Sequence, residues 1–440
     1  MISKGFLTTF LLFSVFISFA GGKQSSDKDV LNVHHAFLDE AIVLTKHCVG
    51  FSPPVSGRAF AYLTLGMYES SIDFLPDMHS FSGQMNGYER KVFAEGKKYN
   101  RALVAIGCDH ELIRYMYRNM PPRNEEEFSK LYDSLLVKYG AGQSEKINQK
   151  SIQLGRMIAQ EIIEWSKMDG ADNGFDMNFP DSYRPPECLE CWVKTTPGYL
   201  PSLLPYWGKN RWMMTGSAAT MDGCEVLQFS TDTSSLLYKD SYSILQNSKE
   251  SDPEYEIIAE YWDDSPGYSG TPSGHFFSLA RFLADQKQLN LRKAIELYAK
   301  LSIAMNEAYI ASWQLKYKYS FIRPITYIQR YIDPQFNTRL STPPFPEFPS
   351  GHSYQSSAGG EVFKYIFGDE THFIDSTNAM RADINGAPRS YESFTQLVEE
   401  VSWSRFYGGI HFRKTLDISM DFGARLGRYV AENLKCSDED

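Results

Sequence analysis

The chain has 440 residues, of which 42% are hydrophobic and 22% are charged, and its formal net charge is -10. The apolar fraction is large enough for a sizeable core, and the composition argues against a wholly disordered chain. No long basic stretch is present, so the sequence disfavours nucleic acid and anionic membrane surfaces as partners.

The first twenty residues are typical of an export signal. Lys4 gives a positively charged start, residues 6–20 are almost wholly apolar, and small residues precede a cleavage point after Ala20. An apolar run of this length is short for a bilayer span, which needs about 20 residues. We therefore expect residues 1–20 to be the signal peptide of a secreted or periplasmic protein that is not embedded in a membrane. Residues 25–28 are expected to form a frayed leader.

Apolar residues at steps of three and four predict a succession of helices. The predicted segments are, in chain order, 57–73, 98–119, 124–139, 145–167, 291–319, 353–367, 392–407 and 416–434. Alternating runs of β-branched residues are scarce. The pattern therefore predicts a mainly α fold, organised as a bundle or as paired bundles.

Residues 168–270 interrupt this helical pattern. They are rich in Pro, Gly, Trp and Tyr, which predicts long ordered loops. Aromatic loops of this kind usually pack over a bundle or line a cleft. The expected organisation is an N-terminal helical half at 21–170, a loop-rich connecting region at 171–270 and a C-terminal helical bundle at 271–440.

Cysteine usage fits an oxidising compartment. Cys188 and Cys191 have a spacing that also occurs in zinc sites, but no second pair and no histidine cluster accompanies them. An even number of cysteines in an exported chain favours disulfides, in a connectivity that the sequence does not fix. The six cysteines are Cys48, Cys108, Cys188, Cys191, Cys224 and Cys436.

The residues suited to chemistry fall in three segments of the C-terminal part. In the first segment, Lys316 precedes Arg323 by seven residues, which is nearly two helical turns and would place both cations on one face. Pro324 is expected to end that helix at Arg323. Taken alone, such a pair is more often two solvated charges.

The second segment is a proline-rich stretch that leads into Ser350, Gly351 and His352. The prolines stop any preceding element, so these three residues are expected at a helix N-terminus. Free backbone amides and the positive end of the helix dipole favour an anion there. His352 can give or take a proton near neutral pH. The alternative is an ordinary serine N-cap followed by an incidental histidine.

The third segment runs from Arg405 to His411. Arg405 is a natural bidentate partner for an oxyanion. Gly408 and Gly409 are expected to loosen the helix, so that Arg405 and His411 need not diverge. His411 is suited to act as a nucleophile toward phosphorus or as a nitrogen ligand to a metal, although a single histidine in an aromatic helix is usually packed in the core. Together, the three segments predict a pocket for a tetrahedral oxyanion, vanadate or phosphate.

The three segments match K-x6-RP, PSGH and SR-x5-H in order and spacing. This is the signature of the type 2 phosphatidic acid phosphatase and vanadium haloperoxidase superfamily. Residues 52–62, 196–207 and 259–262 also resemble the vanadium haloperoxidase branch, so the resemblance covers most of the mature chain. It implies two four-helix bundles, with the pocket in the C-terminal bundle and with long aromatic and proline-rich loops over that bundle.

The resemblance also implies roles for individual residues. His411 would be the protein ligand to vanadium, and His352 would act as the acid and base that deprotonates hydrogen peroxide. Lys316 would polarise the bound peroxide. The groups that would bind the vanadate oxygens are Lys316, Arg323, Ser350, Gly351 and Arg405.

Two aromatic residues bear on the choice of halide. Trp313 and Phe345 stand where the chloroperoxidase and bacterial iodoperoxidase members carry aromatic residues, whereas algal bromoperoxidases carry Arg and His. Their alternative role is core packing.

A carboxylate at Asp263 or Asp264 is expected to orient Arg405, and Asp264 is the candidate. The chain after His411 departs from the His-x3-Asp spacing of many phosphatase relatives.

The resemblance therefore implies a secreted haloperoxidase that is similar to the bacterial iodo- and bromoperoxidases and uses vanadate. It would oxidise iodide or bromide more readily than chloride, with hydrogen peroxide, to the hypohalous acid, and a small organic molecule could accept the halogen. The first alternative is an acid phosphatase in which His411 is phosphorylated. The second is a non-catalytic oxyanion-binding protein, which would need neither His352 nor His411.

Overall fold

The computed structural model describes residues 25–96, 98–250 and 252–438. The predicted signal peptide at residues 1–20 lies outside this part of the chain. The described residues are mainly helical, which confirms the predicted fold class.

The α-helices, in chain order, are α1 (Asp27–His47), α2 (Pro53–Ile72), α3 (Arg101–Met116), α4 (Pro122–Gly140), α5 (Glu145–Ser166), α6 (Leu236–Lys249), α7 (Pro253–Tyr261), α8 (Thr271–Gln286), α9 (Leu291–Tyr319), α10 (Pro324–Tyr331), α11 (Gly351–Phe367), α12 (Phe394–Tyr407) and α13 (Arg413–Asn433). Short 3-10 turns lie at Gly174–Asp176, Trp207–Lys209 and Ser217–Met221. Two short strands, β1 (Phe373–Asp375) and β2 (Arg389–Tyr391), pair antiparallel.

Two groups of four helices form the body of the protein. Helices α1, α2, α3 and α5 pack together in the N-terminal half, and α9, α11, α12 and α13 pack together in the C-terminal half. The long helix α9 also packs against α2, so one apolar core runs through both groups.

Helices α11 and α13 approach each other closely, which fixes the start of α11. Gly423 and Gly427 lie on the face of α13 that meets α11. A side-chain carbon at Gly423 would lie 2.2 Å from the Tyr354 carbonyl oxygen, and one at Gly427 would lie 2.4 Å from the Ala358 carbonyl oxygen. Only glycine allows this spacing, so the N-terminus of α11 is held firmly over α13.

The prediction for residues 25–28 was wrong. Ser26 is the N-cap of α1, and its hydroxyl accepts from the Asp29 amide while the Asp29 carboxylate accepts from the Ser26 amide. This reciprocal arrangement is a capping box, which satisfies amides that the first helical turn leaves free. The segment is therefore the start of an ordered helix.

The prediction of loops across 168–270 was partly wrong. Helices α6 and α7 lie within that region, each started by a capping residue, Ser235 and Asp252 respectively. Capping outweighed the proline- and aromatic-rich composition there. The rest of the region does run as ordered loops over the C-terminal helices, where the Leu203 amide donates to the Pro344 carbonyl at 2.8 Å.

Cys188 and Cys191 form a disulfide with each other. The other four cysteines are reduced and buried in the described structure. Cys191 also forms a β-bridge with Phe321, so the disulfide loop lies against the segment between α9 and α10. Among the described helices, none has both the length and the apolar character needed to cross a bilayer.

Candidate active site

Lys316 and Arg323 come from two different helices. Helix α9 ends at Tyr319 because Ser320 takes a left-handed conformation with φ of 47°. Arg323 is the N-cap of α10, in an extended conformation. The prediction that one helix continues to Arg323 was therefore wrong, yet both cations are fully buried in the same site.

Backbone carbonyl oxygens surround the Lys316 ammonium. Its Nζ donates to the carbonyls of Pro346 at 2.9 Å, Glu347 at 3.2 Å and Pro349. All three of its N–H groups are therefore satisfied by the proline-rich segment. Burial lowers the pKa of Lys316 well below its ordinary value, and nearby Arg323 lowers it further.

Arg323 hydrogen-bonds both the proline-rich segment and the end of the third segment, which runs from Arg405 to His411. Its Nε donates to the Phe345 carbonyl at 3.0 Å, and its Nη1 donates to the Ile410 carbonyl at 2.9 Å and lies 3.2 Å from His411 Nε2. Its Nη2 is buried and has no hydrogen-bond partner in the protein. Burial lowers the pKa of Arg323 to about 9, which still leaves the guanidinium charged at neutral pH.

Ser350, Gly351 and His352 begin α11, as predicted. Ser350 is the N-cap, and its hydroxyl accepts from the Ser353 amide at 3.3 Å. The Ser350 amide in turn donates to the Ser419 hydroxyl of α13 at 2.9 Å. Gly351 and His352 occupy the first turn, where backbone amides have no acceptor within the helix.

His352 has a ring nitrogen that no other protein group satisfies. Its Nε2 is inaccessible to solvent and has no partner in the protein, and the ring lies beside the backbone of Asp263. Burial lowers the pKa of His352 well below its ordinary value, and Arg405 lowers it further. The ring is therefore neutral at neutral pH, with an unprotonated Nε2.

Arg405 lies near the end of α12 and contacts the residues that follow α7. Its Nη1 donates to the Trp262 carbonyl at 2.6 Å, and its Nη2 lies 3.7 Å from the Asp263 carboxylate. Its Nε is buried without a partner in the protein. Of the two predicted carboxylates, Asp263 makes the direct contact with Arg405, whereas the carboxylate of the chosen candidate, Asp264, bonds His275.

Gly408 and Gly409 end α12 instead of loosening it. Gly408 is the C-cap, and Gly409 has φ of 77°, a conformation that favours glycine. The chain then reverses direction, which brings His411 back beside Arg323.

Glu347 is a site residue that sequence reasoning missed. Its carboxylate lies 2.8 Å from His411 Nδ1, and it also accepts from the Phe412 amide at 3.1 Å and the Thr415 hydroxyl at 3.0 Å. Burial raises the pKa of Glu347 to about 7. The available signal was a single charged residue, between Pro346 and Phe348, in an otherwise apolar stretch directly before the PSGH motif.

The Glu347 contact fixes the tautomer of His411. Burial lowers the pKa of His411 well below its ordinary value, and Arg323 lowers it further, so the ring is neutral. A neutral ring donates from Nδ1 to the carboxylate and leaves the lone pair on Nε2. His411 is therefore arranged to offer Nε2 as a ligand or nucleophile.

Trp313 and Phe345 form an aromatic wall beside the cations. Their ring centroids are 5.1 Å apart. The Lys316 ammonium lies 4.8 Å from the Phe345 centroid, and the Arg323 guanidinium carbon lies 5.0 Å from it. Trp313 is buried and Phe345 is half-buried, so both residues pack the core and also border the charged site.

The geometry favours an anion as the ligand. Arg323 Nη2 and Arg405 Nε are buried N–H groups without a protein acceptor, and leaving such groups unpaired is costly. Lys316, Arg323 and Arg405 all lower the pKa of His411, which places the three positive charges around one histidine. Within the described residues, no group of three or more His, Cys, Asp or Glu side chains could hold a metal cation.

Comparisons with known proteins found one family model and several similar structures. A family model described as the VCPO second helical-bundle domain matches residues 296–338 and 331–437. The structure is similar to that of the first bacterial vanadium-dependent iodoperoxidase, with 30% sequence identity and a TM-score of 0.83, over 94% of this chain and 99% of that chain.

Two further crystal structures share the fold. The holo-type bacterial vanadium-dependent chloroperoxidase has 16% identity and a TM-score of 0.63, over 95% of this chain and 99% of that chain. The apo-type bacterial vanadium-dependent chloroperoxidase has 17% identity and a TM-score of 0.61, over 86% of this chain and 92% of that chain. A comparison with curated proteins gave no match.

We expect Glu347→Gln to weaken oxyanion binding by about 10- to 100-fold, because an amide can donate to Nδ1 and so favour the wrong His411 tautomer. Calorimetric titration of the anion-free protein with orthovanadate measures this effect. Glu307→Gln is the matched control. Glu307 lies on α9, outside the site, and is also a buried glutamate; its carboxylate accepts from the Met213 amide, and burial raises its pKa to about 8. Equal affinity of Glu347→Gln and wild type would contradict the role of Glu347.

Proposed function

This chain belongs to the vanadium-dependent haloperoxidase family, and we propose that it is an exported enzyme that oxidises iodide or bromide in preference to chloride. It is accordingly a haloperoxidase with a vanadate cofactor that acts on hydrogen peroxide and a halide. The observation that carries the assignment of the vanadate site is the set of buried polar atoms without a protein partner, at Arg323 Nη2, Arg405 Nε and His352 Nε2.

These residues fit a vanadate ion. We assign the binding of its oxygens to Arg323, Arg405, Lys316, the Ser350 hydroxyl and the Gly351 amide, and we assign the ligand nitrogen to His411 Nε2. Positive charge and free donors are what a tetrahedral oxyanion requires. When bound, vanadate supplies a Lewis-acid V(V) centre that activates hydrogen peroxide without a change in its own oxidation state.

We assign His352 as the base that accepts a proton from hydrogen peroxide. Its Nε2 has no partner in the protein, and its lowered pKa keeps that nitrogen unprotonated. The ring also lies beside the backbone of Asp263. The proton would therefore be held at His352 Nε2.

We assign Lys316 as the residue that supplies positive charge to bound peroxide. Its three N–H groups already donate to carbonyls of Pro346, Glu347 and Pro349. For Lys316 to donate directly to a ligand, one of these carbonyls must give up its hydrogen bond. Its contribution before that exchange is the field of a buried cation, which is strong because little water screens it.

The preference for a large halide is supported by the aromatic wall of Trp313 and Phe345. Moving an ion from water into apolar surroundings costs less when the ion is large, because the Born cost falls with ionic radius. Iodide and bromide are larger than chloride, so they lose less hydration free energy than chloride when they bind against this apolar wall. The 30% identity to a protein described as an iodoperoxidase also supports this choice.

Export is supported by the apolar run at residues 6–20, which comes shortly after the positively charged Lys4. It is also supported by the Cys188–Cys191 disulfide, because disulfides persist in oxidising compartments. We expect the protein recovered from the periplasm or the medium to begin at Gly21. Mass spectrometry of the mature N-terminus measures this. Recovery of the chain from the cytoplasm with Met1 and the residues after it intact would contradict export.

The activity is tested by stripping bound anions from the mature protein and adding orthovanadate. We expect hydrogen peroxide to oxidise halide only when vanadate is present. In His411→Ala we expect the rate to fall by at least about 100-fold, more than is typical when only a residue that hydrogen-bonds a metal ligand is replaced. His372→Ala is the control, because His372 is an exposed histidine that contacts Ser390. Hydrolysis of a phosphate ester that vanadate inhibits, without halide oxidation, would indicate the acid phosphatase instead.

The halide preference is tested by Phe345→Asn, which makes one side of the wall polar. We expect the ratio of kcat/KM for iodide to kcat/KM for chloride to fall by about tenfold or more, as for other single changes in an apolar pocket. Steady-state rates with each halide at saturating peroxide give this ratio. Phe74→Asn is the control, since Phe74 is half-buried against Tyr99 in the N-terminal half. An unchanged ratio in Phe345→Asn would count against the wall as the selective element.

A further inference from the structure

The three residues after α7, Trp262 to Asp264, form a turn that holds two site residues at once. The Trp262 carbonyl accepts from Arg405 Nη1 at 2.6 Å, and the Asp263 carboxylate lies 3.7 Å from Arg405 Nη2. The backbone of Asp263 also lies beside the ring of His352. The position of this 262–264 turn therefore sets the orientation of both Arg405 and His352.

The third residue of the 262–264 turn is held by a buried histidine. Asp264 has φ of 48°, a strained conformation for a residue other than glycine, and such conformations persist only where surrounding contacts enforce them. Both oxygens of its carboxylate lie 3.0 Å from His275 Nδ1. His275 Nε2 lies 2.8 Å from the Asp375 carboxylate of β1.

All members of this His275 cluster, which is Asp264, His275 and Asp375, are buried. Burial alone would lower the pKa of His275, but the two carboxylates outweigh it and raise the pKa to about 10. The ring is therefore an imidazolium that donates from both nitrogens. A ring bonded at both ends between two carboxylates has a single orientation.

The first residue of the turn is held from two further sides. The ring of Trp262 stacks on the ring of His275, with centroids 4.4 Å apart and planes at 16°. Trp262 Nε1 donates to Glu400 at 2.9 Å, and the Tyr391 hydroxyl of β2 donates to the same carboxylate at 2.6 Å. Glu400 and Arg405 lie on the same helix, α12, so the turn is tied to the element that carries Arg405.

We propose that His275 is a positioning residue for the oxyanion site, and that it acts through Asp264 to hold the 262–264 turn against Arg405 and His352. It touches no reacting atom, and the two-stranded sheet contributes through Asp375. The inference rests on the roles proposed above for Arg405 and His352.

Two conservative variants separate the two bonds of His275. In His275→Asn, the amide nitrogen stands near the position of Nδ1 and can still donate to Asp264. In His275→Gln, the amide nitrogen stands near the position of Nε2 and can donate only to Asp375. Both variants lose the same charge and the same ring, so a comparison between them isolates the bond to Asp264.

We expect His275→Gln to bind orthovanadate about 10- to 100-fold more weakly than wild type, and His275→Asn to lose less than about tenfold. Calorimetric titration measures the affinities. In vanadium-free protein, 15N chemical shifts of the His352 ring, assigned with His352→Gln, report its tautomer. We expect the Nδ1-protonated form in wild type and in His275→Asn, and a mixture of tautomers in His275→Gln.

The matched control is His34→Gln in the N-terminal half. His34 is also fully buried between two polar partners, Asp109 at 2.6 Å and Ser71 at 2.9 Å, but it lies on α1. We expect this variant to be less stable than wild type and to keep its orthovanadate affinity and the His352 tautomer. Both readouts need neither halide nor peroxide, so they test His275 even if the wild-type protein fails to oxidise halide.

Equal affinities and equal His352 shifts in wild type and both His275 variants would overturn the proposal and leave His275 a purely structural residue. Equal losses in both variants would overturn the route through Asp264. If neither variant folds, Asp264→Gly provides the test, because glycine accepts the positive φ without strain and leaves His275 paired with Asp375. A wild-type orthovanadate affinity in Asp264→Gly would then overturn the proposal.

Discussion

The structure depends on burying three cations side by side. Lys316, Arg323 and Arg405 are at most 1% exposed, although removing each charge from water costs several kcal/mol. Backbone carbonyls offset most of that cost, at Pro346, Glu347 and Pro349 for the lysine and at Phe345, Ile410 and Trp262 for the arginines. Carbonyl dipoles solvate a cation without cancelling its charge. The site therefore stays positive, which carboxylate partners for each cation would have prevented.

This way of solvating charge also explains the irregular segments around the site. A carbonyl inside a helix is already bonded within that helix, so only helix ends and loops have carbonyls to spare. Residues 343–350, 262–264 and 408–411 each break a regular element where a cation needs an acceptor. The proline-rich segment and the glycine pair thus serve the chemistry of the site as well as the path of the chain.

The sequence predicted the mainly helical fold, the start of α9, the helix start at Ser350 and the basic and histidine residues that the structure brings together. These depend on local patterns, namely apolar periodicity, capping and fixed motif spacing. It did not predict that Glu347 would bond His411 or that Asp264 would pair with His275. Such contacts join residues that lie 64 and 11 positions apart across loops, and no periodic pattern encodes the path of a loop.

Helix α9 is a wall shared by both halves of the protein. On its side toward the N-terminal half, Thr64 of α2 hydrogen-bonds Ser302 at 2.6 Å, and Gly57 lies against the ring of Tyr309. Farther along the same helix, Lys316 enters the anion site. The pocket-bearing half is therefore no transplantable module. Without the N-terminal half, the face of α9 that packs on α2 would be exposed to solvent, so the anion site depends on both halves being present.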